Sequence, residues 1–256
     1  MISKTLYEIK IASRNKNEAT FLLKYFRILG FYISWVFLRL RLTPMQVTYF
    51  NFVLGIYICI SFATFDPMYR IFSSILLLLW QILDTVDGNM ARVLNKRSNY
   101  GGFIDYAGNM FIVAFLHISI GFGLYRYPEG LIIEIINNCM QFDYLPAYTL
   151  ILSAYSSVAT ILCRLLHKVI QVRFGKIMFK EVNFKVQQLS LRKKIIHFIQ
   201  NIERLGGMQI IIIFITSIIG CLEITIVFYF LLSIIMLASY TIHVFWSLRK
   251  LHYYPE

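Results

Sequence analysis

Residues 84–110 read DTVDGNMARVLNKRSNYGGFIDYAGNM, a charged stretch set between long apolar segments. Its acids are Asp84, Asp87 and Asp105. Ionised groups beside a membrane span are costly to bury, so their presence points to function. The setting comes from composition. The 256 residues are 58% hydrophobic, with a mean hydropathy of +0.65, against roughly 45–50% apolar for an ordinary soluble domain. The excess lies in blocks of about 20 residues, enough at ~1.5 Å per residue to cross ~30 Å of hydrocarbon. The expected fold is an all-α integral membrane protein.

Six transmembrane helices are expected, near 44–65, 70–91, 101–125, 146–168, 208–222 and 224–247. The fifth is short. It meets the sixth in a tight hairpin at Leu222-Glu223, which puts Glu223 in an outer turn. Residues 1–43 read as a cytoplasmic segment and 44–250 as one six-helix domain. The start of the chain is polar and has no apolar core of a signal peptide, so no cleaved leader is expected. Within the first segment, residues 18–41 mix aromatics and aliphatics with spaced Lys and Arg. That pattern predicts an amphipathic helix lying in the headgroup layer, with Trp35 at the polar boundary. Residues 183–205 read similarly, and 129–145 form the only sizeable outer loop. Thr43 suits a helix cap and Pro44 the first helical position, where its missing N–H costs nothing.

The net charge is +12. Of the 25 Lys and Arg, all but Arg70 and Arg126 fall in the two termini, the loop after the second span and the stretch from Arg164 to Arg204. Such bias sets orientation, and it places both termini and the even-numbered loops in the cytoplasm. Positive-inside bias and anionic lipid account for the charge, and no nucleic-acid partner is expected. Cys59, Cys139, Cys163 and Cys221 show no paired spacing and read as small buried hydrophobes.

On a helix, Asp84, Asp87, Gly88, Ala91 and Arg92 share one face, at i, i+3, i+4, i+7 and i+8. Gly101, Asp105 and Asn109 share a face of the next helix. A short loop makes the two helices antiparallel neighbours, so the polar faces can meet in one pocket. Three converging carboxylates repel and take up protons unless a cation offsets them, and their hard oxygens suit Mg²⁺, Mn²⁺ or Ca²⁺. Arg92 offers a planar fork for phosphate. Gly88 and Ala91 leave room for a ligand. Gly101 and Gly102 place N–H groups at a helix start, which favours an anion. Close packing by small residues is the alternative for Gly102 and Gly108.

Written out, the residues are Asp84-x-x-Asp87-Gly88-x-x-Ala91-Arg92, then Gly101-x-x-x-Asp105-x-x-x-Asn109. This closely resembles the signature of the CDP-alcohol phosphatidyltransferases, membrane enzymes of phospholipid synthesis. "LTPMQVT", which opens the first span, also resembles that family. The resemblance implies six spans, an interfacial helix and a homodimer. It also implies two divalent ions, a CDP-alcohol donor such as CDP-diacylglycerol, and an alcohol acceptor. A hydroxyl of the acceptor attacks the β-phosphate and CMP leaves. Carried over by position, Asp84, Asp87, Asp105 and position 109 hold metal. Gly88, Ala91, Arg92, Gly101 and Thr48 line the nucleotide and diphosphate.

The last position departs from the family, which has Asp where this chain has Asn109. That Asp resembles the general base as well as a ligand, and an amide is no carboxylate base. Three readings follow: an active enzyme in which another group takes the proton, an impaired binder of nucleotide and metal, or an introduced substitution. Arg164, Lys168 and Arg204 are candidates for a phosphorylated acceptor, with snorkelling to the interface as the alternative. His117 reads as a packed histidine rather than a catalyst. An ion transporter is the rival class, since membrane carboxylates also mark ion paths. Such a path needs polar groups at several depths, and here the acids gather at one end.

Overall fold

The computed structural model describes residues 21–64, 66–128, 145–178 and 209–253, with backbone alone at 21–24, 67, 145, 167–178, 240, 243–244 and 246–253. The described residues form seven α-helices and no strand. They are α1 (Phe21–Arg39), α2 (Pro44–Thr64), α3 (Pro67–Val93), α4 (Asn99–Arg126), α5 (Leu145–Met178), α6 (Ile210–Ile219) and α7 (Leu222–Tyr253). Five of them, α2 to α5 and α7, are long and apolar enough to cross a membrane. Their length and composition identify an integral membrane protein.

Among the described residues five full spans are found where six were expected. Of the fifth, placed at 208–222, the described residues hold a helix of 10 residues. It rises roughly 15 Å, about half the hydrocarbon thickness. The turn that follows lies at Gly220 and Cys221, earlier than Leu222-Glu223. Gly220 adopts φ 77, the left-handed region that glycine enters freely, and the Cys221 N–H returns to the Thr216 carbonyl at 2.8 Å. Glu223 is therefore in the first turn of α7 and buried, not in an outer turn. The helix of the fourth span continues past 168 to Met178. The outer loop and the second interfacial segment lie outside the described residues.

Local chemistry explains the ends of the helices that carry the polar stretch. At α2, the Gln46 N–H donates to Thr43 Oγ1 (3.3 Å) and the Thr43 N–H donates to Gln46 Oε1 (2.8 Å). This reciprocal capping box, with Pro44 as first helical residue, agrees with the sequence reading. At the end of α3, Asn95 takes φ 53. The Lys96 N–H reaches the Ala91 carbonyl (3.0 Å) and the Asn95 N–H reaches the Arg92 carbonyl (3.3 Å). That is a Schellman cap with Asn in place of Gly. At α4, Ser98 Oγ accepts from the Gly101 N–H at 3.0 Å.

Helix α2 lies against both α3 and α4. In turn α5 packs on α4 and α7, α1 packs on α3, and α6 packs on α3 and α7. Direct packing of α3 against α4 is slight by comparison. Gly55 makes the close approach possible, because a Cβ there would run into Ile112 and Trp80. The core around it comprises Ile58, Phe62, Leu77, Leu116 and Ile120. Ser61 and Ser73 join α2 to α3 by a hydroxyl–hydroxyl bond.

Helix α1 lies along α3. Gly30 faces Thr85 and Asn89, and Leu38 is buried with Val86, Met90 and Val93. The remaining sides expose Tyr25, Leu29, Tyr32 and Leu40, and Arg39 stacks over Trp35 at 3.9 Å. At the opposite end of the bundle Arg70 is buried. It donates to the carbonyls of Gly123 (3.0 Å) and Tyr127 (2.7 Å), where the α4 dipole is negative.

Candidate active site

The two acid-bearing faces meet, although α3 and α4 are not each other's main neighbour. Both lean on α2, and the polar groups converge in the space between them. The Asn109 amide on α4 donates to Asp84 Oδ1 on α3 at 2.9 Å and to Asp105 Oδ1, one turn earlier on α4, at 3.2 Å. Asp84 and Asp105 also lie within hydrogen-bonding range of each other. Two carboxylates so close either share a proton or need a compensating positive group.

Asp87 is held by a second set of donors. The Thr48 hydroxyl on α2 donates to Asp87 Oδ2 at 2.6 Å, and the Gly88 N–H donates to Oδ1 at 2.5 Å. Thr48 thus sits at the acid cluster. Asp87 is buried, and Asp84 and Asp105 are partly so.

Arg92 is half-buried. Its guanidinium donates to Asn89 Oδ1 at 2.9 Å, and Asp87, Arg27 and Arg97 lie within its electrostatic reach. Gly88 lies beside Arg92, whose Nη2 would be 3.3 Å from an added Cβ. Ala91 spends its carbonyl on the α3 cap, and its small side chain stays on the acidic face. The expectation that Gly101 and Gly102 offer open N–H groups to an anion is corrected. The Gly101 N–H is taken by Ser98 Oγ and the Gly102 N–H by the Ser98 carbonyl. Their lack of side chains is what remains useful, and nothing would meet a Cβ at Gly102.

Two amides at the cluster carry no charge and escaped the sequence reading. One is Asn89, which orients Arg92. The other is Asn51, buried on α2 with its Oδ1 without a hydrogen-bond partner. Its depth follows from two contacts. Thr48 meets Asp87, and Gly55 faces Trp80. Seven residues along α2 therefore match seven back along α3, and Asn51 lies level with Asp84. The signal available in sequence was its spacing, three residues after Thr48 and four before Gly55 on one helix face.

Among the acceptor candidates, the Arg164 side chain is described, and the Lys168 side chain and Arg204 lie outside the described residues. Arg164 and His117 are within electrostatic reach of each other. Gly121 packs on Ser153 and Thr149. From that contact Arg164 is about 17 Å along α5, and Asn109 about 18 Å back along α4. The two therefore share a depth. His117 is buried and bonded through Nε2 to Gln209 Nε2 at 2.8 Å, with the Tyr229 ring tilted against it at 5.4 Å. It serves packing, as expected. The described cysteines, Cys59, Cys163 and Cys221, are buried.

The donor set has the right chemistry for a hard divalent ion: carboxylate oxygens, an amide and a hydroxyl. Among the described residues, however, no three His, Cys, Asp or Glu groups gather as a metal-holding set. Asp87 is turned to Thr48, while Asp84 and Asp105 are bridged by an amide.

Comparison with curated proteins gives no match. The family model for CDP-alcohol phosphatidyltransferase matches residues 41–248. That range holds every helix from α2 to α6, the acid cluster and most of α7, and the chain belongs to the CDP-alcohol phosphatidyltransferase family.

Proposed function

We propose that this chain moves a phospho-alcohol group from a CDP-alcohol to the hydroxyl of a second alcohol and releases CMP at the cytoplasmic side of the membrane. With CDP-diacylglycerol as donor the group is phosphatidyl. The observation that carries the reading is the meeting of Asp84, Asp105 and Asn109 across α3 and α4, with Asp87 held beside them by Thr48. Family membership supports it.

In this reading Asp84, Asp87 and Asp105 hold Mg²⁺ or Mn²⁺, and position 109 faces the acceptor hydroxyl. The metal, when bound, offsets the diphosphate charge and steadies the leaving oxygen. Arg92, freed from Asn89, presents two parallel N–H groups to a phosphate. Gly88, Ala91 and Gly101 let the nucleotide lie close to the helices, and Thr48 fixes the rotamer of Asp87. Arg164, at the depth of Asn109, binds a phosphorylated acceptor, and Lys168 and Arg204 are the further candidates for that role. The charge bias of the sequence puts the site and both termini on the cytoplasmic side. Helix α1 covers α3 at the interface, and two chains form the working unit.

The test is release of CMP by the purified chain in nanodiscs, over a panel of acceptor alcohols, with and without Mn²⁺. Metal-dependent release with one acceptor class supports the reading. Mn²⁺-dependent ion flux in liposomes, with no binding of any CDP-alcohol, overturns it. Thr48→Val is expected to reduce release about tenfold, because Asp87 Oδ2 loses its donor. Thr48→Ser keeps the hydroxyl and should retain most of the rate.

A specific observation favours a second reading, a binder of CDP-alcohol that turns over slowly. Asn109 aims its N–H groups at the acids and has no basic lone pair to take a proton.

A further inference from the structure

We infer that the Asn109 amide takes the place of a second metal ion, so that this chain's acid cluster is built for one divalent ion. The inference rests on the metal-dependent reading above and concerns what distinguishes this chain within it.

Carboxylates accept hydrogen bonds and donate none when ionised. The amide nitrogen of Asn109 carries two N–H groups, and one goes to each of two acids, Asp84 Oδ1 at 2.9 Å and Asp105 Oδ1 at 3.2 Å. With acceptors on both sides, the donor edge of the amide has to face them. Its carbonyl oxygen, the atom that could bind a cation, points elsewhere. An Asp at position 109 would instead set a third acceptor against those two acids. That arrangement needs a cation between them, or protons shared among the acids.

Charge leads to the same place. Four carboxylates balance two divalent ions. This chain has three, Asp84, Asp87 and Asp105, and they balance one divalent ion plus the Arg92 guanidinium, which lies within electrostatic reach of Asp87. The acids have also split into two groups. Asp84 and Asp105 are bridged by the amide. Asp87 takes its hydrogen bonds from Thr48 and Gly88 and none from Asn109. The lack of any gathered set of three metal-holding groups among the described residues follows from that division.

The experiment counts metal rather than turnover. The full chain, in detergent, is equilibrated with Mn²⁺ and the bound ion is measured per chain, with an EPR spectrum recorded on the same sample. One Mn²⁺ per chain and an uncoupled spectrum are expected. Asn109→Asp should bind two and show the broadening of neighbouring spins. Two ions in the unaltered chain, or still one in Asn109→Asp, overturn the inference and leave the metal-dependent reading standing. No Mn²⁺ in either form overturns both. Should Asn109→Asp fail to fold, Asn109→Ala decides. Removing the two donors should tighten Mn²⁺ binding roughly tenfold, since the acids then rely on the ion alone. Weaker binding would make the amide oxygen a ligand and sink the inference.

Discussion

Asn109→Asp is expected to raise metal-dependent CMP release by roughly 10²–10⁴-fold, the usual contribution of a positioned general base. The position has the required geometry. It is one turn beyond Asp105 and within hydrogen-bond distance of Asp84 across the gap, so a group there borders the space where an acceptor hydroxyl would enter. What it lacks is a lone pair able to take the proton. The measurement is kcat at saturating Mn²⁺ for both forms, because the variant also changes the charge of the cluster. A gain in kcat locates the base. Equal kcat in the two forms would show that the proton leaves by another group.

Gly123→Ala should destabilise the bundle by about 3 kcal/mol, at the upper end of the cost of overpacking. An added Cβ would strike the carbonyl oxygen and carbon of Phe62, with Ala63 Cα close behind. All three are backbone atoms of α2, so no rotamer change relieves the clash. Helices α2 and α4 would have to separate, and α2 is the element on which both acid-bearing helices lean. The loss should appear as a lower melting temperature in detergent and as weaker CDP-alcohol binding. Gly102→Ala is the control. Nothing lies within 4 Å of its added Cβ, and Ala gains about 1 kcal/mol over Gly in a helix interior. If Gly123→Ala melted with the unaltered chain, the close approach of α2 and α4 would be refuted.

Charge and period made one part of this site legible in the sequence. The spacing of Asp84 and Asp87, and of Asp105 and Asn109, put them on two helix faces, and the structure brings those faces together. The Thr-Pro-x-Gln run likewise announced the cap of α2. Partner choice was harder to read. Nothing in residues 84–110 says that α3 and α4 each pack on α2 more than on one another, because that depends on the tight fit of Gly55 and Gly123. Neutral amides gave no warning either. Asn51 and Asn89 resemble any polar residue in a hydrophobic helix until their depth is known. Hydropathy also misplaced Glu223, since a charged residue next to a predicted turn reads as exposed. A short α6 and a glycine turn instead pull it into the first turn of α7. Arg70 entered the sequence reading only as one of two basic residues on the outer side, and its guanidinium is spent on carbonyls at the end of α4.

The link between α3 and α4 is fixed at both ends, by the Asn95 cap on one side and Ser98 on the other. Only Leu94 to Ser98 lie between the helices. Such a joint carries torque instead of absorbing it. A rotation of α3 that turned Asp84 and Asp87 toward an arriving diphosphate would be handed on to α4, and Asp105 and Asn109 would swing with them. The two halves of the cluster are thereby geared to one another. Both helices also lean on α2, from which Thr48 grips Asp87 at 2.6 Å, so the cluster is tied to a third helix as well.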